Sequence, residues 1–246
     1  MIEASRTSEA TASVILGEAA SVDSRSGAPV ANVAHSSVTN WPRALPAAAP
    51  ALSLRKRALD VFGSLGLLLV FLPLLLLLAL MIRLDSPGPA LFRQKRTGLN
   101  GRPFVVLKLR TMRVTEDDDA VSHATRSDDR TTELGLLLRK TSLDELPQLI
   151  NVLRGEMSLV GPRPHALTHD RHYASLVLGY ERRFRVRPGL TGLAQVSGQR
   201  GGINEIGCMQ RRVASDNAYI DNWSFASDMQ ILLRTVPLMV RDPNAY

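Results

Sequence analysis

Cysteine is nearly absent: among 246 residues there is only Cys208. That excludes an internal disulfide and any multi-cysteine metal cluster, and it suits a reducing compartment. Aromatic residues are also sparse, 12 in all, which leaves few stacking platforms for single-stranded nucleic acids. No recognised nucleic-acid motif is present either. Residues 1–53 lack any long apolar periodic run. They hold three basic and four acidic residues, with Pro42, Pro46 and Pro50 near their end. This composition reads as a disordered tail. A basic start followed by an apolar core is missing, so the tail does not read as a secretory signal.

What is present is apolar and basic: 45% hydrophobic residues, 22% charged, and a net charge of +7. A fully disordered chain is excluded by that apolar content. Without the tail, 27 basic and 19 acidic residues leave +8. Such a balance admits three kinds of partner: nucleic acid, an anionic membrane surface, or a phosphorylated substrate.

Val61 to Ile82 is a 22-residue run without a charge, and 11 of its members are leucine. At ~1.5 Å per residue it reaches roughly 33 Å, enough for a hydrocarbon core of ~30 Å. A buried soluble helix of this length would show a polar stripe. Arg55, Lys56 and Arg57 precede the run, and Arg83, Arg93, Lys95 and Arg96 follow it. Lys and Arg collect on the cytoplasmic side, and here both flanks qualify. Pro73 favours a kink near the middle. The residues alone therefore leave open a spanning helix and a re-entrant hairpin bent at Pro73, the latter requiring its bend to stay hydrogen-bonded.

Beyond the turn Ser86-Pro87-Gly88-Pro89, residues 90–97 and 104–112 read as strands joined through Asn100-Gly101, a hairpin signal. Alternation places Lys108 and Arg110 on one face and Val105, Leu107 and Leu109 on the other. The basic face is either solvated or turned toward headgroups or phosphate. Glu116 to Arg130 reads as a polar loop, and an apolar stretch begins at Leu134.

Three segments carry candidate chemistry. In the first, Leu146, Leu149, Ile150 and Leu153 have helical spacing. Ser142 and Glu145 match a capping box, although Pro147 sits better if Asp144 is the cap. Either way Asp144 and Glu145 are adjacent carboxylates at a predicted helix start, with Arg139 and Lys140 just upstream. Such a pair can hold Mg²⁺, or one member can attack phosphorus. In the second segment, Gly155 ends the helix, and Arg163 is held between Pro162 and Pro164, where a stiff guanidinium suits phosphate or simply a rigid turn. The third holds Arg182, Arg183, Arg185 and Arg187, a run that either neutralises a diphosphate or faces solvent. His165, His169 and His172 would share one helical face, a spacing reminiscent of zinc sites, but Arg171 lies alongside. Met209 to Val240 reads as amphipathic helix, either interfacial or packed on the core.

Taken together these blocks resemble the bacterial sugar transferase family, the small phosphoglycosyl transferases. The resemblance runs from Lys56 to Val240. It includes Lys56-Arg57, Asp60, Lys108-Leu109-Arg110-Thr111-Met112 and Arg139-Lys140-Thr141-Ser142-Leu143-Asp144-Glu145-Leu146-Pro147-Gln148. It continues through Met157 to Pro164, Arg187 to Gln195, Asp216 and Asn222-Trp223-Ser224. Two departures stand out: the long tail, and Ala214-Ser215 ahead of Asp216.

The resemblance implies an enzyme of the bacterial inner membrane with its active site facing the cytoplasm. It would transfer a hexose 1-phosphate from a UDP-sugar to undecaprenyl phosphate, releasing UMP, as the first step of exopolysaccharide or other surface-glycan synthesis. Asp144 is then expected as the nucleophile, giving a covalent phospho-sugar enzyme, and Asp144 and Glu145 as the Mg²⁺ ligands. Arg139, Arg163 and Arg187, with Lys108 and Arg110, are the expected phosphate contacts. The resemblance also favours a re-entrant anchor. Membrane lipids are expected neighbours, nucleic acid is not an expected partner, and a homodimer is left open. The expected fold is α+β, predominantly α. It comprises a tail (1–53), a membrane helix or re-entrant hairpin (54–85) and a compact domain (86–246) with a small β-hairpin and interfacial helices. The competing reading is a membrane-tethered Mg²⁺-dependent phosphohydrolase.

Overall fold

The computed structural model describes residues 46–113, 130–202 and 205–240, the side chains of 239 and 240 excepted. Most of the tail and of the polar loop at 116–130 thus lie outside the described residues.

Two short sheets are set among helices, as expected for a mainly α, α+β chain. A short helix α1 (Ala49–Leu52) leads into α2 (Leu54–Asp85), whose first turn is capped by Ser53 Oγ accepting from the Lys56 N–H. The tail therefore ends earlier than expected: Ala48 is buried and its N–H donates to the Arg185 carbonyl.

Helix α2 has 32 residues, about 48 Å of helix. It runs through Pro73 as one continuous helix. Its inward stripe is Lys56, Asp60, Ser64, Leu68, Phe71, Leu75, Leu78 and Ile82, at helical spacing, and these residues are buried or half-buried. The stripe is invisible in the sequence because the outward face is just as apolar: Leu69, Val70, Leu72, Leu76 and Leu77 are exposed. Both ends of α2 are fastened to the same body. At the start, Lys56 Nζ donates to Asp228 Oδ2 at 2.8 Å, and Asp60 Oδ1 accepts from Ser158 Oγ and the Leu159 N–H, each at 2.9 Å. At the end, Leu78 and Ile82 pack with Leu109 and Leu138.

Strands β1 (Leu91–Thr97) and β2 (Pro103–Leu109) pair antiparallel, Leu91 opposite Leu109 and Thr97 opposite Pro103. Asn100 (φ 56°) and Gly101 (φ 74°) make the turn between them in the left-handed region that this dipeptide favours. Helix α3 (Glu133–Thr141) is capped by Thr132, and a 3-10 turn (Leu143–Glu145) follows before α4 (Gln148–Arg154). Buried Asn151 on α4 ties that helix to β2 as a third strand would. Its Oδ1 accepts from the Leu107 N–H at 3.0 Å, and its Nδ2 donates to the Val105 carbonyl at 2.7 Å.

β3 (Ser158–Val160) runs parallel to β4 (Gly189–Thr191), with α5 (Leu167–Leu176) between them in sequence. Here the backbones touch: a Cβ on Gly161 would lie 2.6 Å from the Arg187 carbonyl oxygen, and one on Gly189 2.1 Å from the Gly161 nitrogen. No larger residue fits at either place. α6 (Leu193–Val196), α7 (Ile206–Asp221) and α8 (Phe225–Val240) complete the chain. In α8 the expected packing on the core is seen, with Ile231 and Asp228 buried, while Leu233 and Val236 are exposed.

Candidate active site

Neither proposed cap forms at the carboxylate pair. Ser142 closes α3 in the left-handed conformation (φ 56°, ψ 18°), Pro147 is the residue that precedes α4, and neither side chain caps the turn or helix that follows. The turn between them carries Asp144 and Glu145, so the pair sits one turn ahead of α4 and not at its N-terminus.

The two carboxylates meet opposite environments. Glu145 is gripped by two cations: Lys108 Nζ at 2.6 Å from Oε1, and Arg163, whose Nη1 donates to Oε2 at 2.9 Å and whose Nη2 donates to Oε1. Burial opposes its charge, but Arg163 and Lys108 outweigh that and hold its carboxyl well below the usual range. Asp144 is 7% exposed and accepts no hydrogen bond from a described side chain. Burial pushes its pKa up to about 6; Glu145 adds to the rise, while Lys108, Arg163 and Arg139 oppose it. The result is a desolvated carboxylate with a raised pKa to which no described side chain donates, which suits a nucleophile.

Lys108, Arg139 and Arg163 lie around the carboxylates, with Arg139 steadied by its Nε donating to Thr111 Oγ1 at 2.9 Å. The basic face of the hairpin is not solvated: Lys108 faces the carboxylates, and Arg110 is buried. Two expected phosphate contacts are employed elsewhere. Arg110 donates to the carbonyls of Ile82, Ser86 and Pro87, closing the end of α2. Arg187 donates to the Gly155 carbonyl at 2.9 Å and the Ala51 carbonyl at 3.1 Å. An arginine is drawn to unpaired carbonyls at a helix end as readily as to phosphate.

The remaining arginines of that run are also engaged structurally. Arg182 bonds Asp221, and Arg185 bonds the Pro46 carbonyl. Arg183 is buried; its Nε donates to Asp216 Oδ2 at 2.8 Å and its Nη2 to the Arg163 carbonyl at 2.6 Å. It thereby fixes the backbone of the arginine that holds Glu145. Sequence reasoning missed this pair; the spacing of Arg183 and Asp216 carries no signal.

The histidine face does not assemble. His165 precedes α5 and is buried, with Nδ1 2.8 Å from the Tyr180 hydroxyl. Among the described residues no group of three or more His, Cys, Asp or Glu could hold a metal. For magnesium, the cations on Glu145 disqualify it as the expected ligand and leave Asp144. One carboxylate fits an ion that arrives on a substrate's phosphates, since Mg²⁺ keeps water and phosphate oxygens; it does not fit a preformed cage.

Two adjacent buried carboxylates, one of them clamped by Lys108 and Arg163, thus lie among cations in a chain with a long apolar helix. Residues 51–242 match the model of the bacterial sugar transferase family, and the chain belongs to that family. It is 57% identical over 196 residues to the UDP-glucose:undecaprenyl-phosphate glucose-1-phosphate transferase of Caulobacter vibrioides, covering 80% of this chain and 73% of that protein. The Escherichia coli K12 protein of the same name is 49% identical, with 74% of this chain and 39% of that protein covered. The exopolysaccharide production protein PSS of Rhizobium leguminosarum bv. phaseoli is 48% identical, with 74% and 92% covered. The chain thus spans about three quarters of the first of these relatives and two fifths of the second.

Proposed function

We propose that the chain transfers a hexose 1-phosphate, glucose 1-phosphate first among candidates, from its UDP-sugar to undecaprenyl phosphate, releasing UMP. The observation that carries this reading is Asp144: buried, accepting no hydrogen bond from a described side chain, and beside a Glu145 that two cations grip. The names of the relatives supply the donor and acceptor.

Asp144 attacks the phosphorus next to the sugar. An Asp144–phosphorus bond forms, the bond to UMP breaks, and UMP leaves as the anion. An acceptor phosphate oxygen then attacks the same phosphorus and releases the Asp144 carboxylate. One phosphoanhydride replaces another, so no external energy source is needed. Lys108, Arg139 and Arg163 hold phosphate oxygens, and catalysis is mostly positioning and electrostatics. A magnesium ion, when bound, would offset charge on the departing phosphate.

The placement of α2 fits a lipid acceptor. Its outward face is continuously apolar and both its ends are fastened to one body. It therefore dips into one leaflet beside the active site and does not carry the chain across. UDP-sugars are made in the cytoplasm, which puts the domain on the inner face of the inner membrane.

The test is UMP release across a panel of UDP-glucose, UDP-galactose and N-acetylated donors, with undecaprenyl phosphate as acceptor. The expected result is acceptor-dependent turnover with one donor preferred, and label from a radioactive sugar phosphate retained on the protein before acceptor is added. Free sugar phosphate released without acceptor would establish the phosphohydrolase instead.

A further inference from the structure

Thr111 lies just past the end of β2. It is buried, and α3 is fastened to it at both ends. At the first turn its carbonyl accepts from the N–H of Thr132, the residue that caps α3, at 3.3 Å. The backbones touch there: a Cβ on Gly135 would lie 2.0 Å from the Thr111 carbonyl oxygen, so only glycine fits. The chain just beyond joins in, Met112 bridging to Thr131 and the Arg113 N–H donating to the Arg130 carbonyl at 2.8 Å. At the last turn the Thr111 hydroxyl accepts from Arg139 Nε at 2.9 Å. Upstream on β2, Lys108 holds Glu145. One short stretch of chain, 108–111, thus carries a fixed contact to the clamped carboxylate and another to the arginine beside Asp144.

We propose that Thr111 is a positioning residue: its hydroxyl aims the Arg139 guanidinium at the donor phosphate in front of Asp144. This rests on the function proposed above, in which Arg139 holds phosphate oxygens. An arginine side chain is long and rich in rotamers, and one left to sample them meets phosphate in productive geometry only part of the time. Arg139 also sits in the last turn of α3, where helices fray unless something outside holds them. The bond from Nε to Thr111 answers both problems. It occupies Nε and leaves the Nη1–Nη2 edge, whose two prongs match paired phosphate oxygens. A hydroxyl suits this task better than a carboxylate: it orients the guanidinium without competing with phosphate for the charge. The device sets direction and not net charge, so it works equally with or without a metal ion on the donor.

The experiment is a double-mutant cycle between Thr111 and Arg139, read by UMP release from UDP-glucose with undecaprenyl phosphate and the full chain in nanodiscs. Thr111→Val keeps the branched shape and removes the acceptor; kcat/KM for UDP-glucose should fall about ten-fold. Thr111→Ser returns the hydroxyl and should stay within about three-fold of the unaltered protein. In an Arg139→Met background there is no Nε to hold, and Thr111→Val should then change kcat/KM by less than about two-fold. A threonine that merely braces α3 would carry its full loss into that background, and this result overturns the proposal. So does a loss in Thr111→Ser as large as that in Thr111→Val, a comparison that needs no activity from any Arg139 variant. So does a Thr111→Val enzyme within about two-fold of the unaltered protein. An Arg139→Met enzyme with undiminished kcat/KM would leave the hydroxyl nothing to aim and overturn it as well. Absence of UMP release by the unaltered protein with every UDP-sugar would overturn the proposed function and this inference together; the other results overturn the inference alone.

Discussion

Arg163 stands between two clusters of charge that use the same residue types for opposite ends. Its guanidinium belongs to the open cluster with Asp144, Glu145 and Lys108, in which the Lys108 and Arg163 side chains keep 21% and 34% of their exposure. Its carbonyl belongs to the closed cluster of Arg183, Asp216, Tyr180, Asp170 and His165, every member of which is buried. In the closed cluster the charges meet partners: Arg183 bonds Asp216, and the Tyr180 hydroxyl donates to Asp170 at 2.7 Å. Burial opposes charge on Arg183, but Asp216 outweighs it and holds the guanidinium's pKa above its ordinary value. Burial, with Arg183 adding to it, keeps His165 neutral. The open cluster leaves one carboxylate without a donor. Reactivity here comes from the mismatch at Asp144, and the closed cluster supplies the rigidity against which that mismatch is held.

Asparagine in place of aspartate, applied to each cluster, is the sharpest way to break the comparison. Asp144→Asn should lower transfer about 10⁴-fold or more, read by UMP release. The same change should raise stability by roughly 2–3 kcal/mol at pH 7, because a carboxyl whose pKa is raised to about 6 is strained when ionised. Asp216→Asn should do the reverse to stability, costing about 3–5 kcal/mol in denaturant unfolding by stranding the Arg183 charge. Arg163→Lys keeps the charge but loses the two-pronged grip on Glu145, and kcat/KM should fall about 10- to 100-fold with little change in Tm. The mildest probe is pH. Attack needs ionised Asp144, so kcat/KM should fall about tenfold per unit below pH 6. The stability gap between Asp144→Asn and the unaltered protein should shrink over the same acid range. The raised pKa means the folded protein holds this proton more tightly than the unfolded chain, so the gap is widest above pH 6 and closes toward pH 4. A stability gap independent of pH would remove Asp144 from the buried environment assigned to it.

Much of the open cluster was legible in the sequence, and little of the closed one. Asp144, Glu145, Lys108, Arg139 and Arg163 stand out as charges set beside apolar runs or prolines, and Asn100-Gly101 announces its own turn. Arg110 and Arg187 misled because their partners are backbone carbonyls far along the chain, which no side-chain pattern records. The capping box at Ser142 misled because a left-handed serine is set by packing and not by local propensity. Ala48 and its neighbours looked like tail because composition says nothing about where a chain finds a surface. The inward stripe of α2 could not be read because a protein-facing and a lipid-facing surface demand the same leucines.

That helix has a further consequence for how the enzyme can be handled and how it can be built. Leu68, Phe71, Leu75, Leu78 and Ile82 of α2 are part of the domain's own core packing, so the anchor is a wall of the building and not a mooring rope. Cutting the chain after Asp85 would not release a soluble catalytic fragment; it would expose the interior that those side chains cover. Catalysis and lipid attachment are inherited as one indivisible unit, and any larger protein that borrows this activity must take the helix with it.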